Sequence, residues 1–328
     1  RDQNDRLKSI ERYAVSHSAL GGNHRRTFLQ VAGTTVAATG LSRPTSDSTA
    51  EGRVRVGIIG LGGQGTGHLN AYLSAKNVNV VYVCDPDSKR LAKAAEKASN
   101  AKPVSDLRKV LDDTTVDAVS IATPDHWHTP AALLALDAGK HVYVEKPCSH
   151  NVREGRLLVE AAKRTGQIVH HGTQTRSSPS FQKAVQMLRD GIIGDVFIAR
   201  AWNIQRRGNI GKMRPSRPPS GFDYDLWTGP APMVPFQKNR HHYNWHWWFN
   251  FGTGDAGNDG IHEIDLARWA LGVQTHPAQV AVAGGKFFHN DDQEFADTIT
   301  ATFQYLGDGS AKQQRQLVFE MRLWSTNY

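Results

Sequence analysis

The run Val54-Arg55-Val56-Gly57-Ile58-Ile59, followed at once by Gly60-Leu61-Gly62-Gly63-Gln64-Gly65, restricts the fold more than any other stretch of the chain. The first six residues read as a buried parallel strand and 66–74 as a helix. Between them each glycine has its own task. Gly60 permits the tight turn, Gly62 lets backbone approach a pyrophosphate with no Cβ in the way, and Gly65 lets helix and strand pack closely. The start of the helix offers free N–H groups and a partial positive charge to phosphates. Leu61 and Gln64 complete the set of loop contacts. A second strand over 78–84 ends in Asp85, roughly 20 residues beyond the glycines, where a carboxylate accepts hydrogen bonds from ribose hydroxyls. It also repels a 2′-phosphate, so NAD is the expected cofactor and NADP the less favoured one.

The alternation continues, with helices expected over 91–98, 130–138 and 152–165 and strands over 116–122, 141–144 and 168–171. This implies an α/β fold whose N-terminal domain is a doubly wound parallel sheet, with ligands at the carboxyl ends of its strands. Those ends carry Asp85, the segment Thr123-Pro124-Asp125-His126-Trp127-His128, then Glu145-Lys146-Pro147, and Gln174 with Arg176. Packing alone is a poor explanation for so much polar chemistry. Thr123, Pro124, His128, Glu145 and Lys146 are read as cofactor contacts, and Gln174 and Arg176 as substrate contacts.

Residues 1–52 have no sustained period and are set apart as signal and linker. They contain His24-Arg25-Arg26-Thr27-Phe28-Leu29-Gln30 ahead of a weakly apolar run over 31–41, too short to span a bilayer. The paired arginines resemble a twin-arginine signal, with a disordered basic tail as the alternative. Such export carries folded proteins, so a periplasmic or otherwise exported location is expected, and a cytoplasmic one if the leader does not function. The chain opens on Arg1, and 317–328 read as a strand that simply stops, so a fragment lacking part of its C-terminal domain is expected. Net charge is +8, but the basic residues are spread out, apart from Arg25-Arg26 and 206–217. No nucleic-acid partner and no stable membrane insertion are expected. The two cysteines, Cys84 and Cys148, read as small residues near a site and not as a disulfide.

Beyond 172, strands are expected over 195–202, 279–283, 298–304 and 317–323, with a helix over 180–190. Ile261, Ile264, Ala267 and Leu271 recur at helical spacing. His262 lies off that stripe in the first turn, with Asn258 four residues earlier; Asn258 is either a substrate contact or an N-cap. Just upstream runs His241-His242-Tyr243-Asn244-Trp245-His246-Trp247-Trp248-Phe249. Aromatic faces suit the C–H faces of sugar rings and imidazoles suit their hydroxyls, so Trp245 and His246 are candidate substrate contacts, against core packing as the alternative. The histidines lack a fixed ligand spacing, and no metal is expected. The loop 206–219, with Arg214 and Arg217, either reaches over the pocket or is solvated.

At Glu145-Lys146-Pro147 the sequence resembles the Gfo/Idh/MocA family, named for glucose–fructose oxidoreductase and inositol dehydrogenase. The resemblance covers about residues 53 to 328 and rests on GIIGLGGQGTGHLNA, ATPDHWHTPAALLALDAGKHVYVEKP and GNDGIHEIDLARW. With the leader, it resembles an exported, planctomycete-like branch. It implies a Rossmann domain over 53–172 and, over 173–328, an α/β domain whose open, mostly antiparallel sheet covers the nicotinamide and mediates homo-oligomerisation. It implies hydride transfer between NAD(P) and a carbohydrate or polyol, with Lys146 touching both cofactor and substrate. Many sugar dehydrogenases of the family carry Asp where this chain has Asn258, and His where it has His262. An amide cannot take a proton, so His262 is expected to carry proton transfer alone, unless Asp255 or Asp259 compensates. The catalytic set is thus Lys146, His262 and Asn258. Two other functions remain open: a sugar-modifying cycle of oxidation, elimination or hydrolysis, and re-reduction on tightly held NAD, and a non-catalytic NAD-binding module.

Overall fold

The computed structural model describes residues 52–307 and 313–326, so the Arg25-Arg26 segment lies outside the described residues. Six strands form the first sheet: β1 (Val54–Ile59), β2 (Val78–Cys84), β3 (Lys102–Val104), β4 (Ala118–Ile121), β5 (His141–Glu145) and β6 (Val169–Gly172). Their order is β3-β2-β1-β4-β5-β6, and every pairing is parallel. The order reverses between β1 and β4, and this is where a doubly wound sheet opens its ligand crevice.

Helices α1 (Gly63–Ser74), α2 (Ser88–Lys97), α3 (Arg108–Leu111), α4 (Asp125–Asp137) and α5 (Val152–Thr165) cover the two faces. Val119, Ile121 and Val144 pack with Ala131, Ala135 and Leu158 on one side. Ile58, Val80 and Val83 pack with Leu69 and Ala94 on the other. Both faces of the central strands are therefore dry, which is why β1 reads as a continuous apolar run.

One strand was not anticipated and one expectation needs correction. The edge strand β3 has only three residues, one of them Pro103, and leaves no periodic signal. The helix expected from Pro130 starts at Asp125. Pro130 imitates a helix start, but the preceding turn is already closed, with Trp127 N–H on the Pro124 carbonyl at 2.9 Å. The rings of His126, Trp127 and His128 are buried there.

The second sheet contains β7 (Ile198–Ile204), β8 (Gln279–Gly285), β9 (Thr298–Tyr305) and β10 (Arg315–Arg322), in the order β7-β10-β9-β8. Pairs β10–β9 and β9–β8 are antiparallel, but β10–β7 is parallel. Two of the three pairings are antiparallel, so the sheet is mostly antiparallel as expected, with one parallel pair at β7. Along β10, Leu317, Phe319 and Met321 alternate inward and pack on Ala201, Ala301 and the Ala267–Leu271 face of helix α6 (Gly260–Leu271). A separate aromatic cluster, Phe222, Trp227, Phe236, Trp248 and Phe251, fills the space between this layer and the first domain.

The two layers are stitched together just beyond the carboxyl end of β2. Ser88 N–H donates to the Gly221 carbonyl at 2.9 Å and Asp223 N–H to the Pro86 carbonyl at 3.0 Å. His242 Nε2 meets Asp87 Oδ2 at 2.6 Å. Among the described residues no helix is long and apolar enough to cross a membrane. Cys84 and Cys148 are both free thiols.

Candidate active site

A cleft of about 490 Å³ runs from the glycine loop, past the ends of β2, β4 and β5, to the His241–Trp248 segment. Its floor follows from the loop's backbone. Gly60 sits at φ +90°, and a Cβ on Gly65 would lie 1.8 Å from the Gly60 carbonyl oxygen, so strand and helix meet only because both positions lack side chains. A Cβ on Gly62 would meet only the Arg90 guanidinium, at 3.2 Å from Nη1, and both residues line the cleft. Helix α1 begins after Gly62 with no side chain capping it. Its first N–H groups therefore remain for a ligand. Leu61 and Gly65 shape the loop from beneath, while Gly60, Gly62 and Gln64 line the cleft.

Asp85 lines the same cleft and is almost wholly buried. Its oxygens accept from the Leu61 and Asp87 N–H groups, both at 2.8 Å. Burial pushes its carboxyl above the usual range, against the pull of those two hydrogen bonds and of Arg90. Thr123 and Pro124 line the wall opposite, and the Thr123 hydroxyl is buried without a partner. The uncapped helix start, the Gly62 backbone lining the cleft beside Arg90 and the orphan hydroxyl together fit a bound dinucleotide. Arg90 is a lining residue that no local motif announces.

Glu145 and Lys146 close the far end. Burial raises the Glu145 pKa, but the hydrogen bond and charge of His68, with help from Gln64, outweigh it and hold the carboxylate below its ordinary value. His68 Nε2 lies 2.9 Å from Glu145 Oε1 and its Nδ1 lies 3.0 Å from Ser120 Oγ, so this ring ties β4 to β5. His68 is missing from the sequence reading. The one available signal is its place four residues after Gln64, on the same face of α1.

Lys146 Nζ donates to both oxygens of Asn258, to the side-chain amide at 3.0 Å and to the backbone carbonyl in a shorter contact. Residues 112 apart in sequence thus meet. The N-cap alternative for Asn258 does not hold, because Asn258 ends the short helix Gly254–Asn258 and α6 begins after Asp259. Its amide nitrogen donates to Asp255 Oδ1 at 3.0 Å. Asp255 is fully buried and paired with Arg207, which also bonds Asp259. Both carboxylates offered as substitutes for the missing Asp are therefore already engaged.

Trp245 and His246 line the cleft. Trp247 and Trp248 are buried beside it, with the Arg240 guanidinium 4.2 Å from the Trp248 ring centre. The run is thus part wall and part core. His262 lies on α6 outside the lining residues, and burial, then the charge of Lys146, lowers its pKa. His128 borders the cleft but has both ring nitrogens against carbonyls, Pro147 at 2.7 Å and Thr123 at 2.8 Å. It holds the Lys146-Pro147 turn to the β4 loop.

Gln174 and Arg176 are not brought to the cleft. Arg176 makes two hydrogen bonds to Asp265, at 2.7 and 2.8 Å, and lies over the Trp269 ring. Arg214 and Arg217 are exposed and also outside the lining. Asp87, His241 and His242 place potential ligand atoms within 4.8 Å of one another. However, Asp87 Oδ1 caps α2 and Oδ2 meets His242, with Arg90 acting on both histidines, so the group works as a hydrogen-bonded clasp.

Residues 54–173 match a family model described as an oxidoreductase family, NAD-binding Rossmann fold. Residues 196–311 match its C-terminal alpha/beta domain. An inositol 2-dehydrogenase 2 of Saccharopolyspora erythraea is 30% identical over 223 residues, 67% of this chain and 55% of that protein. A glycosyl hydrolase family 109 protein of the same organism is 34% identical over 152 residues, 44% of this chain and 33% of its own length. The chain thus spans about half or less of these two curated relatives. The WlbA dehydrogenase from Bordetella pertussis, solved with NADH and UDP-GlcNAcA, superposes with a TM-score of 0.65 at 20% identity, over 83% of this chain and 72% of that one. That likeness is one of fold. With both halves matched and the glycine loop, Glu145, Lys146 and Asn258 gathered on one cleft, the chain belongs to the Gfo/Idh/MocA family of oxidoreductases and carries its NAD-binding Rossmann domain.

Proposed function

We propose that the protein catalyses NAD-dependent hydride transfer at a carbinol carbon of a carbohydrate or polyol. The observation that carries this reading is the Lys146 ammonium, held by Asn258 where the dinucleotide cleft meets the second domain. The glycine loop and the start of α1 hold the pyrophosphate, and Asp85 holds the adenosine ribose and disfavours a 2′-phosphate. The nicotinamide, when bound, accepts or returns the hydride. Lys146 donates to the reacting oxygen and stabilises the negative charge that develops on it. Asn258 aims the lysine, Glu145 and His68 fix the strand end beneath it, and Trp245 offers a face to the sugar ring. The test is NADH formation by the intact protein with a panel of inositols and pyranosides. Absence of NADH with every member, from protein that binds NAD, would sink the reading.

A second reading is favoured by the clasp at Asp87 and His242 and by the glycosyl hydrolase relative. In it the dinucleotide stays in place, the sugar is oxidised transiently, a bond is cleaved, and the sugar is re-reduced. Glycoside loss without net NADH would select this cycle over the dehydrogenase. Export through the Arg25-Arg26 leader is part of the proposal, checked by cell fractionation with and without an Arg25→Lys, Arg26→Lys change. So is a homo-oligomer through the second sheet, where Val280 and Val282 on β8 are exposed; light scattering on the intact protein tests it.

A further inference from the structure

We propose that the Glu145 carboxylate biases the bound dinucleotide toward its oxidised form, with His68 as the residue that holds that carboxylate in position. It rests on the dehydrogenase reading and adds which redox state the site favours. The oxidised nicotinamide ring carries a positive charge, and taking up a hydride, one proton with two electrons, cancels it. A fixed negative charge beside the ring therefore stabilises one state and not the other.

The placement follows from what the carboxylate is tied to. Oε1 accepts from Gln64 Nε2 at 3.1 Å, and Gln64 is the second residue of α1, at the pyrophosphate loop. Oε2 accepts from the Lys146 N–H at 3.2 Å. Glu145 thus stands between that loop and the reacting lysine, an interval that the nicotinamide half of a dinucleotide has to cross. The adenosine half runs the other way, to Asp85 at the end of β2. The remaining sides are walled. His68 Nε2, 2.9 Å from Oε1, donates to it, because a carboxylate only accepts. Nδ1 of the same ring lies 3.0 Å from Ser120 Oγ, and the Tyr143 ring stands edge-on to it with centres 5.2 Å apart. Gly172, the partner of Glu145 on β6, has no room for a side chain, since a Cβ would come 3.2 Å from Oε1. Glu145 is only 4% exposed, yet it lines the cleft.

Among the described residues no lysine or arginine pairs with this carboxylate, and Lys146 turns its Nζ to Asn258 instead. The other carboxylates at this end differ. Asp255 and Asp259 are paired with Arg207, and burial pushes Asp125 up to about 7. Burial acts on Glu145 too, but His68 and Gln64 hold it below its ordinary value. The charge that meets the nicotinamide here is that of Glu145.

The test reads binding, not turnover. Calorimetry on the intact protein gives Kd for NAD+ and for NADH, and their ratio carries the result. The unaltered protein should bind NAD+ more tightly than NADH. Glu145→Gln keeps the shape and removes the charge. It should move the ratio at least about tenfold toward NADH, or about 30 mV in the two-electron potential of the bound couple. Lys146→Met removes a positive charge at the same end and should move the ratio the opposite way. His68→Phe, which takes away the donor, should act in the same direction as Glu145→Gln and add nothing to it in the double variant. His68→Gln, which restores a donor, should bring the ratio back. An unchanged ratio in Glu145→Gln, or a shift in the same direction from Lys146→Met, would overturn the proposal. Additive shifts in the double variant would remove His68 from it. If Glu145→Gln fails to fold, the unaltered protein decides, and NADH bound more tightly than NAD+ overturns the bias. A protein that binds both nucleotides but forms NADH from no sugar fails as a dehydrogenase, and the ratio still reports on Glu145.

Discussion

The segments Asp125-His126-Trp127-His128 and His241-His242-Tyr243-Asn244-Trp245-His246-Trp247-Trp248 are built from the same kinds of side chain, but the structure uses them differently. In the first, each polar ring atom lies within 3.3 Å of a backbone carbonyl. His126 Nε2 and Trp127 Nε1 share the Trp227 carbonyl at 3.0 and 2.9 Å, and His128 lies between two more carbonyls. In the second, the buried Nε1 atoms of Trp247 and Trp248 have no partner, and neither does Nδ1 of His242. The difference is in the backbone. The first segment is the opening turn of a thirteen-residue helix, which spreads successive rings in fixed directions onto neighbouring loops. The second is a loop with one short 3-10 turn, Asn244–Trp247, which leaves ring edges and faces along the cleft. Composition marks both segments as special, but Asp125, Trp127 and His128 also line the cleft, so the regular backbone decides which ring atoms lie against carbonyls and not which segment reaches the site.

That contrast can be broken at several points. The largest effect is expected from Trp127→Ala, which removes a ring that is 5% exposed and should cost about 3–5 kcal/mol of stability in urea unfolding. Trp245→Ala removes a half-buried ring packed on the Phe222–Phe251 aromatic cluster, so it should cost less than Trp127→Ala, about 1–3 kcal/mol, but raise KM for the sugar. Equal stability losses from the two would erase the distinction. Lys146→Met should lower kcat by about 10²–10³-fold while leaving NAD bound, as judged by nucleotide released on denaturation. Unaltered turnover would remove the lysine from the chemistry.

A pH titration sharpens the comparison. Burial, the leading influence in each case, lowers His126, His241 and His246 to about 3 and His242 to about 4, so these rings are neutral in the fold and charge on unfolding. Their contribution is complete above the unfolded value near ~6.5 and shrinks as pH falls toward the folded values. Asp125 has the opposite sign. Burial lifts it to about 7, so its contribution is complete below about 4 and disappears as pH rises through 7. Four histidines against one carboxyl predict a net loss on the order of 1–2 kcal/mol between pH 7 and pH 5, the half-exposed His241 and His242 adding least. A urea midpoint that rises on acidification would contradict it. The smallest effect is expected from Arg176→Ala. It breaks a half-exposed pair with Asp265 and should change stability by less than ~1 kcal/mol, with kcat unmoved.

What was legible in the sequence follows from range. The glycine loop, Asp85 and the strand–helix alternation are local, and each rests on residues within one turn or one strand. Lys146 and Asn258 were legible through the family resemblance, and the fold brings them into contact. Arg176 was misplaced because a cation at a strand end looks the same whether it faces a ligand or Asp265 on a helix 89 residues away. His68, Arg90 and the Arg207–Asp255 pair depend on which elements become neighbours, and no spacing encodes that. The three-residue β3 is too short to carry a period.

The hydrogen bonds joining Pro86 and Ser88 to Asp223 and Gly221, with His242 beside them, lie at the far end of the cleft from Lys146. A molecule bound along that spine opens like a book, at the fore-edge only. In the second reading proposed above, a sugar would come and go by the open margin while the nucleotide stays in the binding. Initial rates measured with a sugar and a separate carbonyl acceptor should give the parallel reciprocal lines of a ping-pong enzyme, with one bound nucleotide serving both halves of each turnover; intersecting lines would mean that the spine opens too.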